Sequence, residues 1–313
     1  MRDSTRRILG GLLVSSVALA GCSAGRTASA SGPATSTSAA GVASQPASRP
    51  PSTTGVPRPD HIVVAVFENH GYDQVIGNSR APYLNGLAAR GALLTDAHGV
   101  THPSQPNYVA LFAGSTYGIT SDGCPRDLAG TANLGSQLSA AGLSFAGYSE
   151  GMPGSGYRGC GGGDRYARKH NSWVDFTALP ASVNRTFAEF PAAFDSLPTV
   201  SFVVPNLCDD MHDCPVPTGD AWARTHLEPY VQWAAGHNSL LIVTWDEDEN
   251  PDHTQGGDGG HIPIMLVGGP VTPGVRFGDT VDHYRVLRTI EDAYGLAALG
   301  TAADRQPITG IWR

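Results

Sequence analysis

Ile62-Val63-Val64-Ala65-Val66-Phe67 is an unbroken apolar run, rich in β-branched residues, that leads straight into Glu68-Asn69. A strand apolar on both faces belongs inside a parallel sheet covered by helices on each side. Ser239-Leu240-Leu241-Ile242-Val243-Thr244-Trp245 repeats the pattern and runs into Asp246-Glu247-Asp248-Glu249. Shorter strand candidates are Ala92 to Thr95, Ser144 to Tyr148, Thr199 to Val204 (stopped by Pro205) and Ile262 to Val267. Helical spacing marks Pro82 to Arg90 with Gly91 as its stop, Ser104 to Ala113 with Gly114, and Leu134 to Ala141. It recurs over Trp222 to Ala235 and over Tyr284 to Tyr294 with Gly295. This alternation predicts an α/β fold, a three-layer α/β/α sandwich with a mostly parallel central sheet. Ligands of such sheets gather at the carboxyl ends of the strands.

The polar residues stand at those ends. Glu68 and Asn69 present two oxygen donors at a strand exit, which suits a hard cation; alone, the pair reads more readily as a surface acid beside a turn residue. Asp246 and Glu247 leave the strongest strand together. Adjacent carboxylates repel unless a cation is near, so both are expected as metal ligands, with Asp248 and Glu249 outer or solvated. His102-Pro103-Ser104-Gln105-Pro106-Asn107-Tyr108 places Ser104 at a helix start. Backbone N–H groups there favour an incoming anion, and a cation on Oγ would activate the hydroxyl further. Ser104 is therefore the candidate nucleophile, with His102 beside it and Asn107 one turn on to bond a phosphoryl oxygen. A plain N-cap serine is the alternative. The loop Val204 to Cys214 offers His212 to protonate a leaving group, and Asn206 and Asp210 to orient it or the substrate. Gly256-Gly257-Asp258-Gly259-Gly260 delivers His261 towards a phosphate or metal contact. A strand-end carboxylate, a helix-start serine and a distant carboxylate pair are the parts of a metal-assisted phosphoryl or sulfuryl hydrolase.

The ends and the composition bound the setting. Arg2, Arg6 and Arg7 precede an apolar stretch from Ile8 to Ala20 that is too short to span a bilayer as a mature helix. Leu19-Ala20-Gly21-Cys22 resembles a lipobox, and Thr5-Arg6-Arg7-Ile8-Leu9 a twin-arginine signal. Residues 1–21 are read as a signal peptide, with acylation of Cys22 anchoring the protein to the outer face of the bacterial membrane. Residues 22–59, almost wholly Ala, Ser, Thr, Gly and Pro, read as a disordered tether. Residues 60–313 read as a single catalytic domain. From Asp60 onward lie 27 of the 28 acidic but only 14 of the 20 basic side chains, a net charge of −13. That balance argues against nucleic acid, and against lipid contact beyond the anchor. Cys124, Cys160, Cys208 and Cys214 are even in number in an exported chain, which favours disulfides over zinc since no C-x-x-C spacing occurs. Three pairings are open; the sequential ones, Cys124 with Cys160 and Cys208 with Cys214, are preferred.

Phe67-Glu68-Asn69-His70-Gly71-Tyr72, Pro82 to Gly91, Pro103 to Tyr108, Pro205-Asn206 through Asp210-Met211-His212, and Trp245 to Asp248 leading to His261-Ile262-Pro263 occur in this order. In these stretches the chain resembles the phosphoesterase family of bacterial and fungal acid phosphatases and phospholipases C, within the alkaline-phosphatase-like superfamily. The resemblance implies a phosphoserine intermediate on Ser104 and one divalent cation (Ca, Mg, Mn or Zn) held by Glu68, Asn69, Ser104, Asp246 and Glu247. It implies hydrolysis of a small phosphate ester, with no obligate protein partner. The chain is too short for the extra domains of the larger phospholipases C, which favours phosphomonoesters. Tyr108 stands where sulfatases carry arginine, which disfavours sulfate esters. Two alternatives stay open: a phosphodiesterase or phospholipase C acting on lipid headgroups, and a non-catalytic surface-binding lipoprotein.

Overall fold

The computed structural model describes residues 54–249 and 259–313. The expected signal peptide, Cys22, the tether up to residue 53, and Gly256-Gly257-Asp258 lie outside the described residues. In chain order the elements are β1 (His61–Phe67), α1 (Tyr72–Val75), α2 (Pro82–Arg90), β2 (Ala92–Leu94), β3 (Ala97–His98), α3 (Ser104–Ala113), α4 (Leu134–Ala140), β4 (Phe145–Ser149) and β5 (Asn184–Thr186). They continue with β6 (Val200–Val204), α5 (Val216–His226), α6 (Glu228–Ala235), β7 (Ser239–Trp245), β8 (Ile264–Gly268), β9 (Val275–Phe277), β10 (Val281–Asp282) and α7 (His283–Tyr294).

Eight strands form the central sheet in the order β5-β4-β6-β1-β7-β8-β2-β9. Only β8 runs against its neighbours, so the sheet is mostly parallel, as the apolar runs predict. Helices α2, α5 and α6 pack together on one side, and α3, α4 and α7 form a second group. β1 lies between β6 and β7, with Val64 opposite both Phe202 and Ile242. Every residue of β7 is buried, as are six of the seven in β1. Two continuous apolar strands at the centre of a covered sheet are what such sequences require.

Three local outcomes depart from the sequence reading. The single helix expected over Trp222 to Ala235 is two, because Pro229 has no N–H to give the Thr225 carbonyl and the chain resets at Leu227. Packing also begins ahead of Asp60, in residues read as tether. Val56 is buried in the core, and Pro59 O accepts a hydrogen bond from Tyr294 Oη at 3.1 Å. Finally, Ser104 is the first residue of α3 rather than its cap. Pro103 occupies the cap position, and no side chain caps the helix. Ser104 Oγ is thereby released from capping and can face the strand ends.

Candidate active site

Register builds the floor of the site. Phe67 and Trp245 are partners across β1 and β7, so the residues after them, Glu68 and Asp246, emerge side by side. Asp246 N donates to Phe67 O at 3.0 Å, and Glu68 N to Asp210 O at 2.9 Å, which draws in the loop after β6. Asn69 takes a left-handed backbone, φ 58°, a conformation asparagine tolerates better than most residues. That turn directs its N–H to Asp246 Oδ1 at 3.0 Å.

Ser104 Oγ donates to Glu68 Oε2 at 3.0 Å and lies 3.5 Å from Asn69 Oδ1. The Asp246 and Glu247 carboxyls are close enough for the Ser104 hydroxyl to lower both their pKa values against the larger effect of burial. Tyr108, one turn along α3, donates its hydroxyl to Glu68 Oε1. His102 Nδ1 pairs with Glu247 Oε2. Side chains from β1, β7 and α3 thus converge on one hydroxyl. Glu68, Asp246 and Glu247 are each at most 1% exposed, as is Ser104.

Other expected residues are placed differently. Asp210 reaches the cluster: Oδ1 accepts from His212 N at 2.8 Å, and Oδ2 lies 3.4 Å from His170 Nδ1. Partly exposed His212 turns Nδ1 to Asp213 Oδ1 at 2.8 Å. Asn206 is occupied by its own loop, accepting from Cys208 N and Asp209 N and donating to Asp209 Oδ2. Asn107 is likewise taken: Oδ1 accepts from Val100 N and Thr101 N while Nδ2 donates to Thr101 O and Pro103 O. It locks the loop before α3 and has no amide proton left for a phosphoryl oxygen. His261 does not join the cluster. Its ring stacks on Tyr72 and His98, and Nε2 faces Thr95 O at 3.2 Å. Asp248, expected outer or solvated, is fully buried, whereas Glu249 is exposed. Cys124–Cys160 and Cys208–Cys214 are both bonded, the preferred pairing.

Sequence reasoning missed His170, Lys169 and His283. His170, buried on a short 3-10 turn, lies 3.3 Å from Glu68 Oε2 and stacks on Tyr108. Irregular turns carry no periodicity, so Arg168-Lys169-His170 gave no signal. His283 Nε2 faces Asp246 O at 2.6 Å from the start of α7 and steadies the second acid pair. Tyr108 was readable, since a residue four beyond Ser104 shares its helix face.

The acids crowd one another. Burial pushes the Glu68 carboxyl well up, and Asp246 and Asp210 add to it. Burial likewise raises Asp246, with Glu247 adding to it, and lifts Asp210. Glu247 is pushed up to about 8, again mainly by burial. Burial drives His170 well below the usual histidine range, so its neutral ring supplies no compensating charge. Asp246 Oδ2 and Glu247 Oε1 are buried without a hydrogen-bond partner. Orphaned carboxylate oxygens on mutually repelling acids fit a bound cation, which would satisfy both. Glu68, His170 and His212 also bring one ligand atom each within 4.8 Å of one another.

The Phosphoesterase family's sequence model matches residues 78–297. The chain is 44% identical over 263 residues to a Mycobacterium tuberculosis protein named phosphatidylinositol-3-phosphatase, covering 83% of this chain and 85% of that one. It is 28% identical over 251 residues to an acid phosphatase of Aspergillus fumigatus, covering 75% of this chain and 54% of the relative. It is 30% identical to a phosphate-repressible acid phosphatase of Penicillium chrysogenum, covering 69% and 55%. The chain thus spans about half the length of these fungal relatives. Among solved structures it resembles a Vibrio parahaemolyticus protein of the alkaline phosphatase superfamily, with TM-score 0.55, 13% identity, and 83% and 72% coverage. The lipoteichoic acid synthase LtaP of Listeria monocytogenes gives TM-score 0.53 at 10% identity, covering 78% and 74%. These two likenesses concern the fold.

Proposed function

From the premise that the chain belongs to the Phosphoesterase family and is a hydrolase of phosphoric esters, we propose that it is an exported, metal-dependent acid phosphatase. Phosphomonoesters are its substrates, and Ser104 carries the phosphoryl group between two half-reactions. The family assignment replaces the reading of a non-catalytic binding lipoprotein. One observation carries the proposal: Ser104 Oγ, freed from capping, bonds Glu68 and lies beside Asn69, whose N–H holds Asp246, so that it shares one buried cluster with the Asp246 and Glu247 carboxyls.

Those five residues would hold the cation, which when bound supplies positive charge at the nucleophilic oxygen. Glu68 Oε2, as acceptor of the Ser104 proton, fixes the direction of Oγ. Tyr108 and His170 hold Glu68 in turn. Attack by Oγ on phosphorus forms a Ser–O–P bond and releases the alcohol. His212, ring-oriented by Asp213, protonates that alcohol and then takes a proton from the water that cleaves the phosphoserine. His102, on Glu247, keeps that carboxylate in place.

The M. tuberculosis relative's name favours one refinement, a monoester phosphate on an inositol lipid. Arg6-Arg7, the Cys22 lipobox and the two disulfides support export and a membrane anchor outside the cytoplasm. Among the described residues no helix is long and apolar enough to cross a membrane.

The test is Ser104→Ala, assayed with p-nitrophenyl phosphate, p-nitrophenylphosphorylcholine and a phosphatidylinositol phosphate. The variant should lose about 10⁴-fold or more in turnover while still binding orthovanadate. Hydrolysis persisting in Ser104→Ala removes the nucleophile, and preferential turnover of the choline diester moves the enzyme to the phosphodiesterases.

A further inference from the structure

Lys169 is the only lysine in the chain, and two buried anchors hold it at the site. Before it, Arg168 Nη2 lies 3.1 Å from Asp175 Oδ1, and Asp175 Oδ2 accepts from Gln105 Nε2 at 3.0 Å. After it, His170 is fixed between Glu68 and Asp210. The 3-10 turn Arg168–His170 is thus held by buried contacts on both sides of the lysine. Its ammonium lies 2.6 Å from Asp122 Oδ2 at the rim, and Asp122 Oδ1 accepts from Gln105 N, the residue after Ser104, at 3.0 Å. Lys169 is thus two hydrogen bonds from the backbone next to the nucleophile. Among the described residues Asp122 is its one partner, and its side chain keeps 24% of its surface exposed. An ammonium has three donors, so two remain for a ligand.

The same bonds change what α3 can offer. A helix start recognises phosphate through its first free N–H groups. Here Gln105 N–H is taken by Asp122, and Pro106 has none. The helix cradle expected from sequence is largely closed, and a lysine stands at the far side of the carboxylate that closed it.

We propose that Lys169 is the specificity-determining residue that selects phosphomonoesters over diesters, by binding the third non-bridging oxygen of the dianion. This rests on the phosphatase reading above. A monoester carries close to two negative charges near neutral pH and three free oxygens, whereas a diester carries one charge and two free oxygens. Its field reaches Glu68 and Asp246 as well, so the ammonium also offsets the repulsion that these acids exert on an incoming dianion.

The experiment compares p-nitrophenyl phosphate with methyl p-nitrophenyl phosphate, which share a leaving group and differ by one charge. Lys169→Met, or the milder Lys169→Gln, should lower kcat/KM for the monoester by about 10- to 100-fold, the size of a lost charged hydrogen bond. The diester should change less than about threefold, and Lys169→Arg should recover most of the loss. In Ser104→Ala protein, calorimetric titration with inorganic phosphate and dimethyl phosphate should show the same split when Lys169→Met is added. Equal losses on both esters, or unchanged phosphate affinity in a folded Lys169→Met protein, would overturn the assignment. Hydrolysis surviving in Ser104→Ala would instead strike the parent reading, and the binding split would still report on Lys169.

Discussion

Gly71 is where the site has least room. Its φ of −69° suits any residue, so the constraint is space alone. A Cβ there would lie 2.2 Å from Asp248 Oδ2, 2.6 Å from its Cγ and 2.9 Å from Oδ1. Asp248 cannot back away: it is fully buried, its N–H is held by Gly259 O at 2.7 Å, and a Cβ on Gly260 would meet Asp248 Cβ at 2.7 Å. Gly71→Ala must therefore move the Asp246 to Asp248 run or the turn that carries Glu68 and Asn69. Overpacking of this kind costs about 1–3 kcal/mol, or roughly 2–10 °C in melting temperature for a domain of this size. An ångström of displacement at reacting groups costs about 10²-fold in rate. A double-mutant cycle with Asp248→Ala isolates the cause. Urea unfolding and kcat/KM for p-nitrophenyl phosphate are measured for wild type, both single variants and the double. If the clash is responsible, the double variant is more stable than the sum by about 1–2 kcal/mol, and the rate penalty of Gly71→Ala shrinks beside Asp248→Ala. Additivity to within about 0.5 kcal/mol refutes the steric reasoning.

Three further outcomes are expected. Dialysis against a chelator should cut turnover at least about 10²-fold and lower the melting temperature, with one of Ca, Mg, Mn or Zn restoring both; indifference of both would take the cation out of the site. Glu291, fully buried on α7, is pushed up from an ordinary 4.5 to about 8 by burial. The folded state then holds that proton more tightly than the unfolded chain, so the contribution is complete below about pH 4.5 and is lost as pH rises through about 8. Glu291→Gln should flatten this dependence and add about 2–4 kcal/mol at alkaline pH, read by urea unfolding across pH; an unaltered profile counts against it. Cys124→Ser with Cys160→Ser opens a loop closed across 36 residues, worth about 3–4 kcal/mol. Because Asp122 stands two residues ahead of Cys124, calorimetry should show a lower melting temperature and kinetics a raised KM, and an unchanged pair of values would contradict both roles.

The legibility of each part followed from how local its cause is. β1 and β7 were plain because runs of six (Ile62 to Phe67) and four (Leu240 to Val243) consecutive apolar residues admit few readings, and their ends located Glu68 and Asp246. The convergence of Glu68, Asp246 and Ser104 followed from the fold rule that strand ends share an edge. Roles resting on a side chain's direction were less readable. Asn107 and Asn206 have the right chemistry, but each satisfies backbone groups of its own loop. His261 sits in a suggestive glycine loop, yet stacks between Tyr72 and His98. His170 and Lys169 come from a segment with only short 3-10 turns, positioned by contacts with Asp175, Glu68 and Asp122. No pattern within Arg168-Lys169-His170 encodes those partners.

The acid cluster also accounts for the build of the domain behind it. Each carboxylate withdrawn from water costs several kcal/mol unless it is paired, while a whole domain is stable by about 5–15 kcal/mol. Glu68, Asp210, Asp246 and Glu247 are withdrawn together. That arrangement is tenable because they follow the carboxyl ends of deeply buried strands and because the loop after β6 is stapled by Cys208–Cys214. A cation that bound only the folded site would add stability by mass action, so on the proposed reading ion and fold would support each other. The charge that makes the acid cluster costly would favour a bound cation, and on the proposed reading that cation's charge would let a region of net −13 receive a phosphate dianion.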